Sequence, residues 1–207
     1  MGLKSSAQQS LDTLCHRDAA LALVRHRLGD PPPWSRPASF ETIVHLILEQ
    51  QVSLASAQAT LDRLKRIPSG RPRALTAKRI DQISEADLRS AGVSRQKTRY
   101  IQSLASDVAS DQLRIATLSS LSDDAVRDEL TRCVGVGRWT ADVFLIMALH
   151  RPDVFPVGDL ALQKGMRELD GGDYPDAEAM WRRSKVWRGH RSMATRLIWT
   201  LYLDNRR

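Results

Sequence analysis

The chain has 207 residues, enough to bury a real core as one domain or as two small lobes. Lys and Arg number 31 against 24 Asp and Glu, a formal net charge of +7 that suits a polyanionic partner without requiring one. Cys15 and Cys133 stand far apart, which excludes a disulfide framework and a cysteine-only zinc or iron-sulfur site. His45, His150 and His190 lack metal-ligand spacing, so no side-chain metal site and no cofactor are expected. The longest apolar run, Val143 to Leu149, is too short to span a bilayer, and the opening MGLKSSAQQS has no apolar signal core. A soluble protein in a reducing compartment is expected.

In chain order the hydrophobic spacing is helical and shows no convincing two-residue alternation, so the fold class expected is all-α. A first amphipathic helix runs from about Ser10 to Leu28 and stops at Gly29, before PPPWSRP, which cannot continue it. Ser39 is a candidate N-cap for a helix whose apolar face holds Phe40, Ile43, Val44, Ile47 and Leu48. After QQVS comes a helix with Ala57, Leu61 and Leu64, then the loop IPSGRPR and a stretch rich in Lys and Arg. Ser84, Ser94 and Ser122 read as caps of further helices, the last ending near Cys133 and Val134. A helix from about Arg138 to Leu149, the loop HRPDVFPVG, and helices beginning near Asp159, Asp176 and Arg191 complete the chain.

The stretch Val134-Gly135-Val136-Gly137 between two helices is a helix-hairpin-helix pattern. Its glycines permit positive φ and close backbone approach. N–H groups of the turn and of the following helix start could hold a DNA phosphate without reading a base. The same glycines also suit a plain interhelical turn. Asp159, in Val-Gly-Asp-Leu-Ala-Leu, reads as an ordinary N-cap from spacing alone.

Specificity comes from GRWTADVFLIMALHRPDVFPVGDLALQKG, residues 137 to 165, which resembles the helix-hairpin-helix DNA glycosylase superfamily, in its 3-methyladenine DNA glycosylase II branch of alkylation repair. LILEQQVSLASAQ, residues 46 to 58, and VWRGHRSMATRLIW, residues 186 to 199, resemble two further blocks of the family in the right order. The resemblance implies two helical lobes, about 39–150 with the hairpin at 134–137, and 1–38 plus 151–207, with the active-site cleft between them. It places Asp159 where the catalytic aspartate stands.

Breaking an N-glycosidic bond builds positive charge on the sugar, and a carboxylate beneath C1′ stabilises it. The base must first be flipped from the stack. Family members that also cut the strand through a Schiff base carry Lys two residues past the second hairpin glycine. Trp139 stands there, and an indole cannot form an imine, so a monofunctional enzyme using water is expected. Trp139 would stack on a cationic alkylated purine, unless it is a core aromatic. Trp199, Val143 and Thr200 align with the family's base pocket, the last two at positions where tyrosines occur in a relative. Gln51 is the candidate plug for the gap left by the flipped base, with Gln50 and Ser53 beside it at the helix break. Gly135, Gly137, Arg138 and Thr140 of the hairpin, and Arg95 and Lys97 from the basic stretch, are candidate DNA contacts. The hairpin carbonyls of Cys133, Val134 and Val136 would hold a monovalent cation, as in relatives.

Departures from the family pattern are Glu49 for a small residue, Val134 for proline, and Gly189-His190 for Pro followed by an aromatic. The partner expected is double-stranded DNA carrying a damaged base, bound by a monomer with no obligatory protein partner and no membrane. The compartment would be bacterial cytoplasm, or the nucleus in a eukaryote. Two other readings stay open: a helix-hairpin-helix DNA-binding protein without catalysis, and a glycosylase for a neutral base such as hypoxanthine or uracil.

Overall fold

The computed structural model describes residues 6–67, 73–174 and 176–206. Most of the expected IPSGRPR loop (68–72) and the first half of MGLKSSAQQS (1–5) lie outside the described residues. Among the described residues all regular structure is helical, as the spacing predicts, and no helix is long and apolar enough to cross a membrane. The α-helices in order are α1 Ser6–Arg17, α2 Ala19–Leu28, α3 Phe40–Glu49, α4 Leu54–Leu64, α5 Ala77–Asp81, α6 Glu85–Ser90, α7 Arg95–Ala109, α8 Asp123–Thr131, α9 Arg138–Met147, α10 Leu160–Asp170, α11 Ala177–Arg183 and α12 Arg191–Asp204. Short 3₁₀ turns occupy Ile115–Ser120 and Ser184–Trp187.

The chain divides into two compact units. One is continuous, Arg36–Leu149; the other joins Met1–Ser35 to His150–Arg207. In the continuous unit α3 is the central element, its Ile43, Val44, Leu46 and Ile47 at most 1 % exposed, with α4, α7 and α9 packed on it. Serine caps start the surrounding helices as their sequence predicts: Ser39 accepts from Thr42 N, Ser84 from Asp87 N, Ser94 from Lys97 N and Ser122 from Ala125 N. Asp142 on α9 is 2 % exposed and pairs with Arg127 of α8 at 2.7 Å, locking the two helices of the hairpin together. Burial raises the Asp142 carboxyl pKa while the Arg127 guanidinium opposes the shift.

In the discontinuous unit α12 is the hub for α1, α2 and α10. A Cβ at Gly165 would meet Ile198 Cγ2 at 2.6 Å and the Ile198 carbonyl at 2.8 Å, so glycine is what lets α10 lie against α12. The single helix expected over 10–28 is two. Asp18 interrupts it, accepting from Ala20 N and Leu21 N to cap α2, because a short carboxylate offers those amides an alternative to the helical ladder. The same carboxylate accepts Trp187 Nε1 at 2.7 Å and Arg183 Nη2 at 2.7 Å. Its pKa is lowered overall: burial pushes it up, and the bonds from Trp187 and Arg183 and the guanidinium charge outweigh that push.

Candidate active site and hairpin

The hairpin belongs to the continuous unit. Its turn closes with Val136 N donating to the Cys133 carbonyl at 3.0 Å. Gly135 has φ +84°, and a Cβ there would fall 2.1 Å from Tyr100 Cγ, so both the backbone and the ring of α7 demand glycine. Gly137 differs. Its φ is −94° and a Cβ there would meet nothing within 4 Å, so no group of the protein itself requires glycine at that point. Gly137 also starts α9 without any side-chain cap. A helix start that is uncapped and sterically open is what an incoming anion needs. Arg138 beside it is 66 % exposed, 3.4 Å from Asp142. Val134 is exposed and Trp139 half-buried.

Three residues expected at the DNA surface are used inside the fold. Thr140 is 1 % exposed, and its hydroxyl accepts from Gln50 Nε2 at 3.1 Å. Gln50 is a strut: the same amide donates to the Gly135 carbonyl at 2.9 Å and so ties the α3–α4 break to the hairpin. Lys97 is turned inward, its Nζ donating to the carbonyls of Leu48 and Gln50 at 2.8 and 2.7 Å. Burial lowers its pKa. For Lys97 the physical reason is the end of α3. A helix that ends abruptly leaves carbonyls without amide partners, and nearby donors are drawn to them.

Gln51 is exposed at the tip of that break with φ +58°, and Ser53 caps α4 by accepting from Ser56 N at 3.2 Å. Glu49 is 8 % exposed and receives both ends of the Arg36 guanidinium at 2.6 and 3.2 Å, which accounts for an acid where a small residue is usual. Val143 is 2 % exposed within α9.

Several basic side chains, in 78–99 and again in 182–196, are spent on internal partners. Arg79 donates to the carbonyls of Lys65, Ile67, Arg73 and Ala74 and staples its own loop. Arg183 bridges Asp18 and Asp170, and Arg191, 7 % exposed, is held by Asp153 and Ser184. Arg95, Arg99, Arg182, Lys185 and Arg188 remain exposed.

The acid lies in the discontinuous unit. Asp159 caps α10, its Oδ1 accepting Leu162 N at 2.6 Å, and it is 7 % exposed. Trp199 Nε1 of α12 donates to the same Oδ1 at 3.3 Å, so the indole helps to fix that side chain. Thr200 beside it is half-buried and bonds back to the Arg196 carbonyl at 2.9 Å. Sequence reading missed Trp34. Its ring meets Trp199 edge-on at 5.8 Å from a backbone with φ +39°. The only signal was a tryptophan placed among prolines, in a stretch with no periodicity to interpret.

Gly189 has φ +85° and its N–H donates to Asp153 at 2.7 Å, while His190 Nδ1 lies 3.1 Å from Ser10 Oγ. The two departures thus have local partners. The Cys133 thiol is pushed up to about 12 by burial, with Asp107 adding to it, and is inert as a nucleophile. No group of three or more candidate metal ligands occurs among the described residues.

Against known proteins, residues 44–189 match the HhH-GPD superfamily base excision DNA repair protein model. The structure is similar to a Bacillus halodurans DNA-3-methyladenine glycosidase, with TM-score 0.77 and 29 % identity, covering 98 % of this chain and 93 % of that one. It is also similar to the Schizosaccharomyces pombe 3-methyladenine DNA glycosylase Mag1 in complex with abasic DNA, with TM-score 0.80 and 25 % identity over 92 % of this chain and 95 % of that one. A Mycobacterium tuberculosis protein named "Probable bifunctional transcriptional activator/DNA repair enzyme AlkA" is 34 % identical over 168 residues, 77 % of this chain and 33 % of its own. The chain spans 33–42 % of the length of several such sequence relatives. The resemblance carried by the hairpin, the acid and the flanking blocks is borne out: the chain belongs to the HhH-GPD superfamily of base excision DNA repair proteins.

Proposed function

We propose that this chain is a monofunctional DNA glycosylase that flips alkylated purines of the 3-methyladenine type out of double-stranded DNA and hydrolyses their N-glycosidic bond. The observation that carries the reading is Asp159, buried and fixed by the Trp199 indole at the start of α10. The names of the similar proteins supply the substrate class.

The roles follow from the chemistry. Asp159 faces the positive charge that develops on the sugar and orients the attacking water. Trp139 offers its indole face to a cationic purine, and Trp199, with Trp34 against it, fixes the acid beside Thr200. With Trp139 where a lysine would stand, no imine forms and an abasic site is the product. The open N-terminus of α9, with Gly137 and Arg138, receives a backbone phosphate, and Arg95 adds a contact. Gln51 enters the gap left by the base. The carbonyls of Cys133, Val134 and Val136 would hold a monovalent cation that adds positive charge beside that phosphate. The Cys133 carbonyl already accepts one N–H and has a second lone pair to offer. The two lobes are taken at 39–150 and at 1–38 plus 151–207, and a monomer suffices. The substrate puts the protein where genomic DNA is, in bacterial cytoplasm or a eukaryotic nucleus.

The test is chromatography of bases released from methylated duplex DNA by the parent and by Asp159→Asn. Release of 3-methyladenine by the parent, falling on the order of 10²–10³-fold in the variant, is expected. Equal rates would remove Asp159 from the chemistry. Intact duplex binding with no release by either would favour the non-catalytic reading.

A further inference from the structure

The break between α3 and α4 is held in a costly conformation from below. Gln50, at φ −59° and ψ 124°, and Gln51, at φ +58°, have the backbone of a tight turn whose second central residue is ordinarily glycine or asparagine. Glutamine gains nothing locally from the left-handed region, so the surroundings must impose it. They do so at two points. Lys97 Nζ grips the Leu48 and Gln50 carbonyls at 2.8 and 2.7 Å, and Gln50 Nε2 is tied to Gly135 and Thr140. Gln51 itself is exposed and has no hydrogen-bond partner among the described residues.

What surrounds the strained residue is also unusual. Val52, Leu54 and Val134, exposed by 46, 53 and 48 %, are the large apolar side chains that the continuous unit leaves open among the described residues. Val52 and Val134 lie on the two loops that Gln50 joins, and Leu54 opens α4 just beyond the first of them. An uncharged, partly apolar rim on a chain of net charge +7 fits stacked bases better than phosphates.

We propose that Lys97 is a positioning residue for base extrusion: by pinning the carbonyls that precede Gln51, its ammonium keeps that residue poised to enter the base stack. The inference rests on the reading that the protein extrudes a base, and assigns to Lys97 a role with no contact to DNA.

The experiment follows extrusion without cleavage, using duplex DNA carrying one 2-aminopurine, whose fluorescence rises when it leaves the stack. Saturating parent protein should give a clear rise. Lys97→Met should lose about fivefold of that rise while duplex affinity changes by less than about threefold, because only the strained conformer is depopulated. Lys97→Arg, which keeps a cation and its donors, should retain most of the signal. In a Gln51→Ala background Lys97→Met should change nothing further. Gln51→Pro, which cannot take positive φ but suits the backbone of Gln50, should lose the rise with Lys97 intact. That variant decides the matter should Lys97→Met fail to fold.

A parent-like rise from Lys97→Met or from Gln51→Pro would overturn the proposal. So would an equal further loss on the Gln51→Ala background, or no rise from the parent. Base release by the parent from methylated duplex is scored alongside. Release with no effect at Lys97 sinks this inference alone, and a Lys97-dependent rise without release sinks only the glycosylase reading.

Discussion

Two helix starts carry the chemistry proposed for this protein, and they are built in opposite ways. At α10 the positive end of the helix is neutralised from within, by the Asp159 carboxylate bonded to Leu162 N. At α9 it is left without a side-chain cap, behind a glycine whose missing Cβ leaves open space. A helix N-terminus attracts negative charge either way. Where the protein supplies the anion, the fixed carboxylate can answer a cation that forms on the substrate. Where it withholds one, the vacancy suits an anion that arrives with the DNA.

Substitutions can break this contrast at either end. The largest effect expected is on turnover with Asp159→Asn, about 10²–10³-fold, with little loss of stability because the amide oxygen still caps α10. Asp159→Ala should add about 1 kcal/mol of destabilisation in urea melts at no further loss of rate. If Asn destabilised as much as Ala, the cap and the chemistry would not be separable.

The hairpin glycines should split in the same manner. Gly135→Ala must move Tyr100 and strain a positive-φ residue, so a loss of about 2–4 kcal/mol in thermal or urea unfolding is expected. Gly137→Ala should change stability by less than about 1 kcal/mol, yet weaken duplex binding about tenfold by crowding the phosphate seat. Equal stability losses at both positions would erase the distinction between a glycine the fold requires and one the ligand requires.

The smallest effect concerns salt. Arg138→Ala should reduce the slope of log affinity against log salt by about 0.9, one phosphate contact, whereas Lys97→Met should leave it unchanged. A reduced slope for Lys97→Met would place that ammonium on the DNA and contradict its inward bonds.

Much of the fold was legible because its signals are local. The serine caps and the helical period each depend on residues within one turn, and Ser39, Ser84, Ser94 and Ser122 cap as read. The hairpin and the acid were legible through a family resemblance rather than through spacing, which left Asp159 an ordinary cap. What stayed hidden depends on distant partners. Asp18 breaks the first helix in the company of Trp187 and Arg183, more than 160 positions away, and no window of sequence contains both. Lys97 and Gln50 looked like surface residues because polarity says nothing about which carbonyls lie nearby. Trp34 had no periodic context at all.

That Asp18 hub also sets an order of assembly. The continuous unit, 36–149, holds all its own segments and can close as soon as it has left the ribosome. The N-terminal helices must wait: the indole and guanidinium that satisfy Asp18 lie more than 160 positions further along the chain, a long loop to close, and until it closes α2 lacks its cover. Pulse-labelled hydrogen exchange during refolding should therefore protect α3, α7 and α9 before α1 and α2. Simultaneous protection would mean that the two ends find each other first. For a nascent chain, the hairpin of the continuous unit then matures before α1 and α2.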